Sequence, residues 1–180
     1  MCSHAEVIAT ARRMHGLGLV TGTFGNVSCR LGDAMLITPS GLDYETMTPE
    51  DLVLLGMPGE VLDGIRAPSS EFRLHVAIYE RVGGADAIVH THSVSAVRFA
   101  ESGTVLSTPD ESALRGPIPV SPFAPPGTQE LADRAATLLV ERGSNAVILQ
   151  DHGVVGVGSN PEEALFVCRA VERAATRALA

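Results

Sequence analysis

The chain has no lysine. All 13 of its basic residues are arginine, so a mechanism that forms a Schiff base on a lysine amine is closed to it. A basic stripe is also missing. With 21 acidic residues the net charge is −8, whereas nucleic-acid binders gather cations against phosphates. The P-loop pattern Gly-x4-Gly-Lys-Ser/Thr does not occur, which removes nucleotide binding of that type. Cysteines are few. Cys2, Cys29 and Cys168 are an odd number without CxxC spacing, which argues against a disulfide scaffold or a zinc knuckle and suits a reducing cytoplasm. Long apolar runs are absent too. Leu52-Val53-Leu54-Leu55 falls far short of the ~20 residues that span a bilayer. Arg12-Arg13, followed only by Gly18-Leu19-Val20, makes no signal-peptide core. The expectation is a soluble, cytoplasmic protein that engages neither nucleic acid nor membrane.

What is present suits one globular domain over residues 1–180. Hydrophobic residues make up 45% and charged residues 19%, enough apolar material for a core and too much for disorder. A helical period runs over 4–17, with Val7, Ile8, Ala11 and Met14 on one face. Strands are expected at 27–30, 34–38, 52–55, 60–62, 87–92, 146–150 and 154–157. Helices are expected at about 72–82, 93–100, 127–142 and from Pro161 to the end. Residues 101–128, with Pro109, Pro117, Pro119, Pro122, Pro125 and Pro126, read as loop. Interleaved helices and strands with several hairpins make a mixed α/β domain, not a purely parallel sheet.

His90-Thr91-His92 is the sharpest local signal. Side chains at i and i+2 of a strand share a face, so both imidazoles can converge on one point. His152, in Asp151-His152-Gly153, also follows an apolar strand. Three imidazoles with an open position suit a catalytic zinc or a related divalent ion. Glu71 could complete the resting shell and become a base when substrate displaces it. His75, four residues beyond Glu71, forms a competing half-site at helical spacing. Its place beside Leu74 and Val76 favours a packed or hydrogen-bonded histidine instead. His4 and His15, in the first helix, read as solvated or structural.

Three segments hold residues that bind phosphate through N–H groups and hydroxyls. They are Gly25-Asn26, Thr38-Pro39-Ser40-Gly41 and Ser69-Ser70 at a helix N-terminus. Turn chemistry explains each alone equally well. The adjacency of Ser69-Ser70 to Glu71 shifts the balance, because a phosphate held there brings a small substrate within reach of the metal.

Together, Gly22-Thr23-Phe24-Gly25-Asn26-Val27-Ser28, Thr38-Pro39-Ser40-Gly41-Leu42, Pro68-Ser69-Ser70-Glu71, His90-Thr91-His92 and Asp151-His152-Gly153 resemble the class II aldolase/adducin family. The resemblance covers residues 5–175. It implies a three-layer α/β/α domain around a mostly antiparallel sheet, assembled as a homotetramer with sites at subunit interfaces. It puts zinc ligands on His90, His92 and His152 with Glu71. It puts phosphate-binding residues on Gly25, Asn26, Ser40, Gly41, Ser69 and Ser70. The implied reaction cleaves a short ketose 1-phosphate of the L-fuculose-1-phosphate kind to dihydroxyacetone phosphate and an aldehyde. It runs through a zinc-stabilised enediolate with Glu71 as acid/base.

The alternatives are decarboxylation or dehydration of a phosphorylated sugar acid or ketose at the same metal, an epimerase, and a silent adducin-like interaction domain. Retention of all the ligand positions counts against the last. Departures fall on the aldehyde side. Residues 101–118 carry no tyrosine, the only two being Tyr44 and Tyr79. The chain stops at Ala180, where fuller members continue into a tail with another tyrosine. Asp151 stands where the family usually shows a neutral residue.

Overall fold

A computed structural model describes residues 2–107 and 111–180. The first helix, α1 (His4–Gly16), opens on a capping box in which Ser3 and Glu6 satisfy each other's backbone N–H groups. The hairpin β1 (Asn26–Leu31) and β2 (Ala34–Ile37) follows. A short 3-10 turn (Pro49–Asp51) leads into β3 (Val53–Gly56) and β4 (Val61–Asp63). Next come α2 (Phe72–Arg81), β5 (Ala87–Thr91) and α3 (Val94–Ala100). A two-residue strand β6 (Val120–Ser121) precedes α4 (Gln129–Arg142), whose N-cap is Thr128. The chain closes with β7 (Ala146–Leu149), β8 (Gly153–Gly158) and α5 (Pro161–Ala178).

The eight strands form one sheet in the order β4-β3-β2-β1-β5-β8-β7-β6, in which only the β6–β7 pair is parallel. Side-chain alternation along each strand divides the core in two. Val27 and Cys29 of β1 and Val89 of β5 pack with α1, α3 and α5 on one face. Ile88 and Val147 pack with α2 and α4 on the other. The fold is therefore the three-layer α/β/α arrangement with a mostly antiparallel sheet. On α2 the buried stripe is Leu74, Ala77 and Ile78, while Phe72 and Val76 are only partly covered. Each large aliphatic side chain so buried contributes about 1.5–3 kcal/mol.

Two departures from expectation have causes that lie far along the chain. The stretch expected as loop contains β6 and a bridge between Leu106 and Ile118, because partner strands supply hydrogen bonds that local pattern does not reveal; Pro109 of that stretch lies outside the described residues. Ser69 and Ser70 lie just ahead of α2, which begins at Phe72, at the helix entrance where the sequence places them. Cys2 and Cys29 are joined by a disulfide, their Cα atoms 6.3 Å apart. An odd cysteine count carries no information about which two meet, and α1 lying on β1 brings these two together. Cys168 is free and buried. Among the described residues no helix is long and apolar enough to cross a membrane.

Candidate metal centre and anion pocket

His90 lies in β5 and His92 just past its end, so the strand period carries both to one side. The β7–β8 turn supplies His152. That turn is tight enough for Asp151 to take φ +55°, the one positive-φ residue other than glycine among the described residues. Gly153 then begins β8 directly against β5. A Cβ on it would stand 2.0 Å from the Thr91 carbonyl oxygen and 3.0 Å from His90 Cε1. Only glycine lets His152 approach His90 this closely.

The candidate ligand atoms of His90, His92 and His152 all lie within 4.8 Å of one another. His90 Nε2 and His152 Nε2 are 3.3 Å apart. Two nitrogens sharing a tetrahedral zinc at 2.0–2.1 Å would stand about 3.3 Å apart. His90 Nδ1 lies 3.1 Å from the Val154 carbonyl, and a carbonyl only accepts. The proton therefore sits on Nδ1, and the Nε2 lone pair faces the cluster.

Burial holds all three rings neutral. It pushes His90 well below the usual histidine range, helped by His152 and His92. It also lowers His92, and it brings His152, beside His92, down to about 4. Neutral imidazole is the form that binds a cation. His152 Nδ1 is buried without a partner. The donor set fits a divalent ion of the zinc kind.

Above the histidines opens a cavity of about 420 Å³ whose lining includes Gly25, Asn26, Ser40, Gly41, Ser69, Ser70, Glu71, His92 and His152. His90 lies beneath it, fully buried. A cleft of about 530 Å³ beside His4 and Ile65 holds none of the three histidines. Backbone bonds draw the phosphate-type segments together. Ser69 N–H donates to the Thr38 carbonyl, Ser40 N–H to the Ala67 carbonyl, and Val27 N–H to Thr38 Oγ1. Gly25 needs its lack of a side chain. At φ +81° a Cβ would meet Val20 Cγ1 at 2.6 Å and the His90 carbonyl at 2.7 Å.

Glu71 sits at the N-cap of α2, its side chain capping nothing. Its Oε2 is buried without a partner. Burial pushes its pKa up, and a backbone hydrogen bond from Gly127 only partly offsets this. Such a carboxyl can hold a proton and release it within one site.

The cavity thus collects nine of the ten site residues read from the sequence, with His90 just below. His75 is not among its walls. It is fully buried behind Asn26, as a hydrogen-bonded histidine. Pattern reading missed Phe24, 62% exposed and stacked on His92 with ring centres 5.3 Å apart, and Pro126 and Asp151 on the rim. The phenylalanine carries no local signal beyond its place in the Gly22–Asn26 motif. Neither tyrosine reaches the cavity. Tyr44 donates to the Gly25 carbonyl at 2.6 Å, and Tyr79 bonds Ser28 behind it.

Residues 5–179 match the model of the Class II Aldolase and Adducin N-terminal domain. The chain belongs to that family. It is 37% identical to an L-fuculose phosphate aldolase of Escherichia coli O6:H1 over 174 residues, covering 93% of this chain and 78% of the relative. It is also 37% identical to a 5-deoxy-D-ribulose 1-phosphate aldolase of Bacillus thuringiensis over 171 residues, 93% of this chain and 79% of that one. A solved L-fuculose 1-phosphate aldolase superposes with a TM-score of 0.92 at 30% identity, covering 98% of this chain and 84% of its own. The chain is a class II aldolase, a carbon–carbon lyase.

Proposed function

We propose that residues 1–180 form one metal-dependent aldolase domain that splits a short ketose 1-phosphate into dihydroxyacetone phosphate and an aldehyde. One juxtaposition carries this reading: three neutral imidazoles lie at the floor of a cavity walled by three phosphate-type segments. His90, His92 and His152, with Glu71 in the resting state, would hold the ion, and zinc suits three nitrogens and one carboxylate. When bound, the cation supplies Lewis-acid stabilisation of negative charge on the substrate's oxygens, the role a lysine iminium plays elsewhere.

The chain's own residues do the rest. Gly25, Asn26, Ser40, Gly41, Ser69 and Ser70 hold the phosphate. The C3–C4 bond breaks, its electron pair stays on C3, and the C4 hydroxyl passes its proton to water in the open cavity as the aldehyde forms. Glu71, displaced from the ion by substrate, carries a proton from solvent to C3, and burial raises its pKa. The ring of Phe24 fixes the His92 plane from the solvent side.

Assembly as a homotetramer is part of the same reading. It is supported by Phe24, Ile65 and Val94, exposed at 62%, 85% and 71%. A cytoplasmic setting fits a sugar-phosphate substrate. The test is release of dihydroxyacetone phosphate from L-fuculose 1-phosphate, 5-deoxyribulose 1-phosphate and 5-methylthioribulose 1-phosphate, with release of carbon dioxide from a phosphorylated sugar acid measured alongside. Chelator should abolish release and zinc restore it. Carbon dioxide without triose phosphate would replace the aldolase with a decarboxylase. A fully folded protein that neither takes up metal nor turns over any of them would favour an interaction domain.

A further inference from the structure

Behind the anion pocket runs a buried chain of polar side chains that the reaction itself does not use. Asn26 opens β1 opposite His90 in the β1–β5 ladder. Its Oδ1 lies 2.5 Å from His75 Nε2. His75 Nδ1 lies 2.6 Å from Ser28 Oγ, and the same oxygen lies 2.7 Å from the Tyr79 hydroxyl. Asn26, Ser28, His75 and Tyr79 are all at most 2% exposed. The alternation of β1 puts Asn26 and Ser28 on one face, and α2 presents His75 and Tyr79 across from it, one helical turn apart.

The order of donors follows from what each group can do. Burial keeps His75 uncharged, down to about pH 3, so its ring has one N–H and one lone pair. Among the described residues the Tyr79 hydroxyl has no acceptor other than Ser28, so it donates there, and the ring proton sits on Nε2, toward the Asn26 oxygen. Nδ1 must then accept from Ser28, whose oxygen is left to accept from the phenol, the more acidic of the two hydroxyls. The chain runs one way: Tyr79 to Ser28 to His75 to Asn26. It leaves the Asn26 NH2 group, without a hydrogen-bond partner among the described residues, for the cavity that Asn26 lines.

We propose that His75 is a positioning residue for the anion pocket, locking the Asn26 amide so that it offers donors and not its oxygen to a phosphate. This rests on Asn26 being a phosphate ligand, as proposed above. An amide has nearly the same shape either way round, so sterics do not choose between the two orientations. To an anion they are opposite in sign. The relay selects the attractive one at a site where 1–2 hydrogen bonds to charge decide affinity.

The test uses the full chain loaded with zinc. The Asn26 side-chain NH2 resonance is followed during titration with inorganic phosphate, alongside kcat and KM for a cleaved ketose 1-phosphate. In the wild type the resonance should move with phosphate. His75→Leu removes both ring contacts, and Tyr79→Phe removes only the terminal donor, which guards against a misfolded first variant. Both should raise KM and the phosphate Kd, about tenfold for the first, with zinc content kept and kcat changed less than KM. His75→Gln keeps a donor toward Asn26 and should recover most of the loss. Unaltered KM in His75→Leu and Tyr79→Phe, while Asn26→Ala raises it, overturns the positioning role and leaves the phosphate pocket standing. An equal fall in kcat and zinc content without recovery in His75→Gln assigns a merely structural role and also overturns it. Unaltered phosphate affinity in Asn26→Ala removes the pocket reading itself.

Discussion

The two ends of the cavity are assembled by different rules. The histidine end uses one strand, β5, and one turn, β7–β8, whose strands lie side by side through β8. Its side chains converge because sheet geometry leaves them little choice. The anion end joins three segments far apart in sequence, around Gly25, Ser40 and Ser69, through backbone bonds between loops. One end is largely buried and low in pKa; the other is an arrangement of backbone N–H groups and hydroxyls. The difference teaches that a metal site can be written in strand spacing, whereas an anion site depends on contacts that spacing does not encode.

His90→Ala should break the histidine end outright. Loss of the buried ligand is expected to lower kcat/KM by about 10³-fold or more, with zinc content by metal analysis falling in parallel. Full activity with full zinc would dissolve the distinction between the ends. Glu71→Gln sharpens it. Metal should stay bound while kcat drops about 10²–10⁴-fold, and solvent deuterium exchange at C3 of dihydroxyacetone phosphate should slow with it.

At the anion end, Ser70→Ala is expected to raise KM roughly tenfold by removing one hydrogen bond to charge, with kcat little altered and zinc unchanged. Steady-state kinetics distinguishes that from a loss shared by both constants. A further effect concerns stability. His75 stays neutral in the fold down to about pH 3, against 6.5 when unfolded, so the unfolded chain binds more protons between those values. Its contribution, on the order of a few kcal/mol, is complete above pH 6.5 and is lost as pH falls through that window. Urea midpoints measured from pH 7 to pH 4 should decline, and decline less steeply in His75→Gln.

Much of this was legible in the residues. The alternation of Ala87–His92, the period of α1 and the caps Thr128 and Asn160 are local signals, and each element formed where local chemistry favoured it. The i, i+2 histidines were readable for the same reason. What stayed hidden was non-local. β6 is a strand because β7 offers parallel partners to Val120 and Ser121. Cys2 meets Cys29 because α1 packs on β1. His75 reads from the sequence as a packed or hydrogen-bonded histidine, but its partner Asn26 is set only by the packing of α2 against β1.

By itself the sequence determined the layers, the bases available and the chemistry excluded: without an amine, charge stabilisation at the substrate carbonyl falls to a cation, and the histidines to hold one are in the chain. Tertiary structure alone decided which lone pairs face one another and that burial raises the pKa of Glu71. The physical reason is that element formation follows from interactions within a few residues. Burial, tautomer and amide orientation are properties of the packed interior, where low polarity and distant neighbours act together.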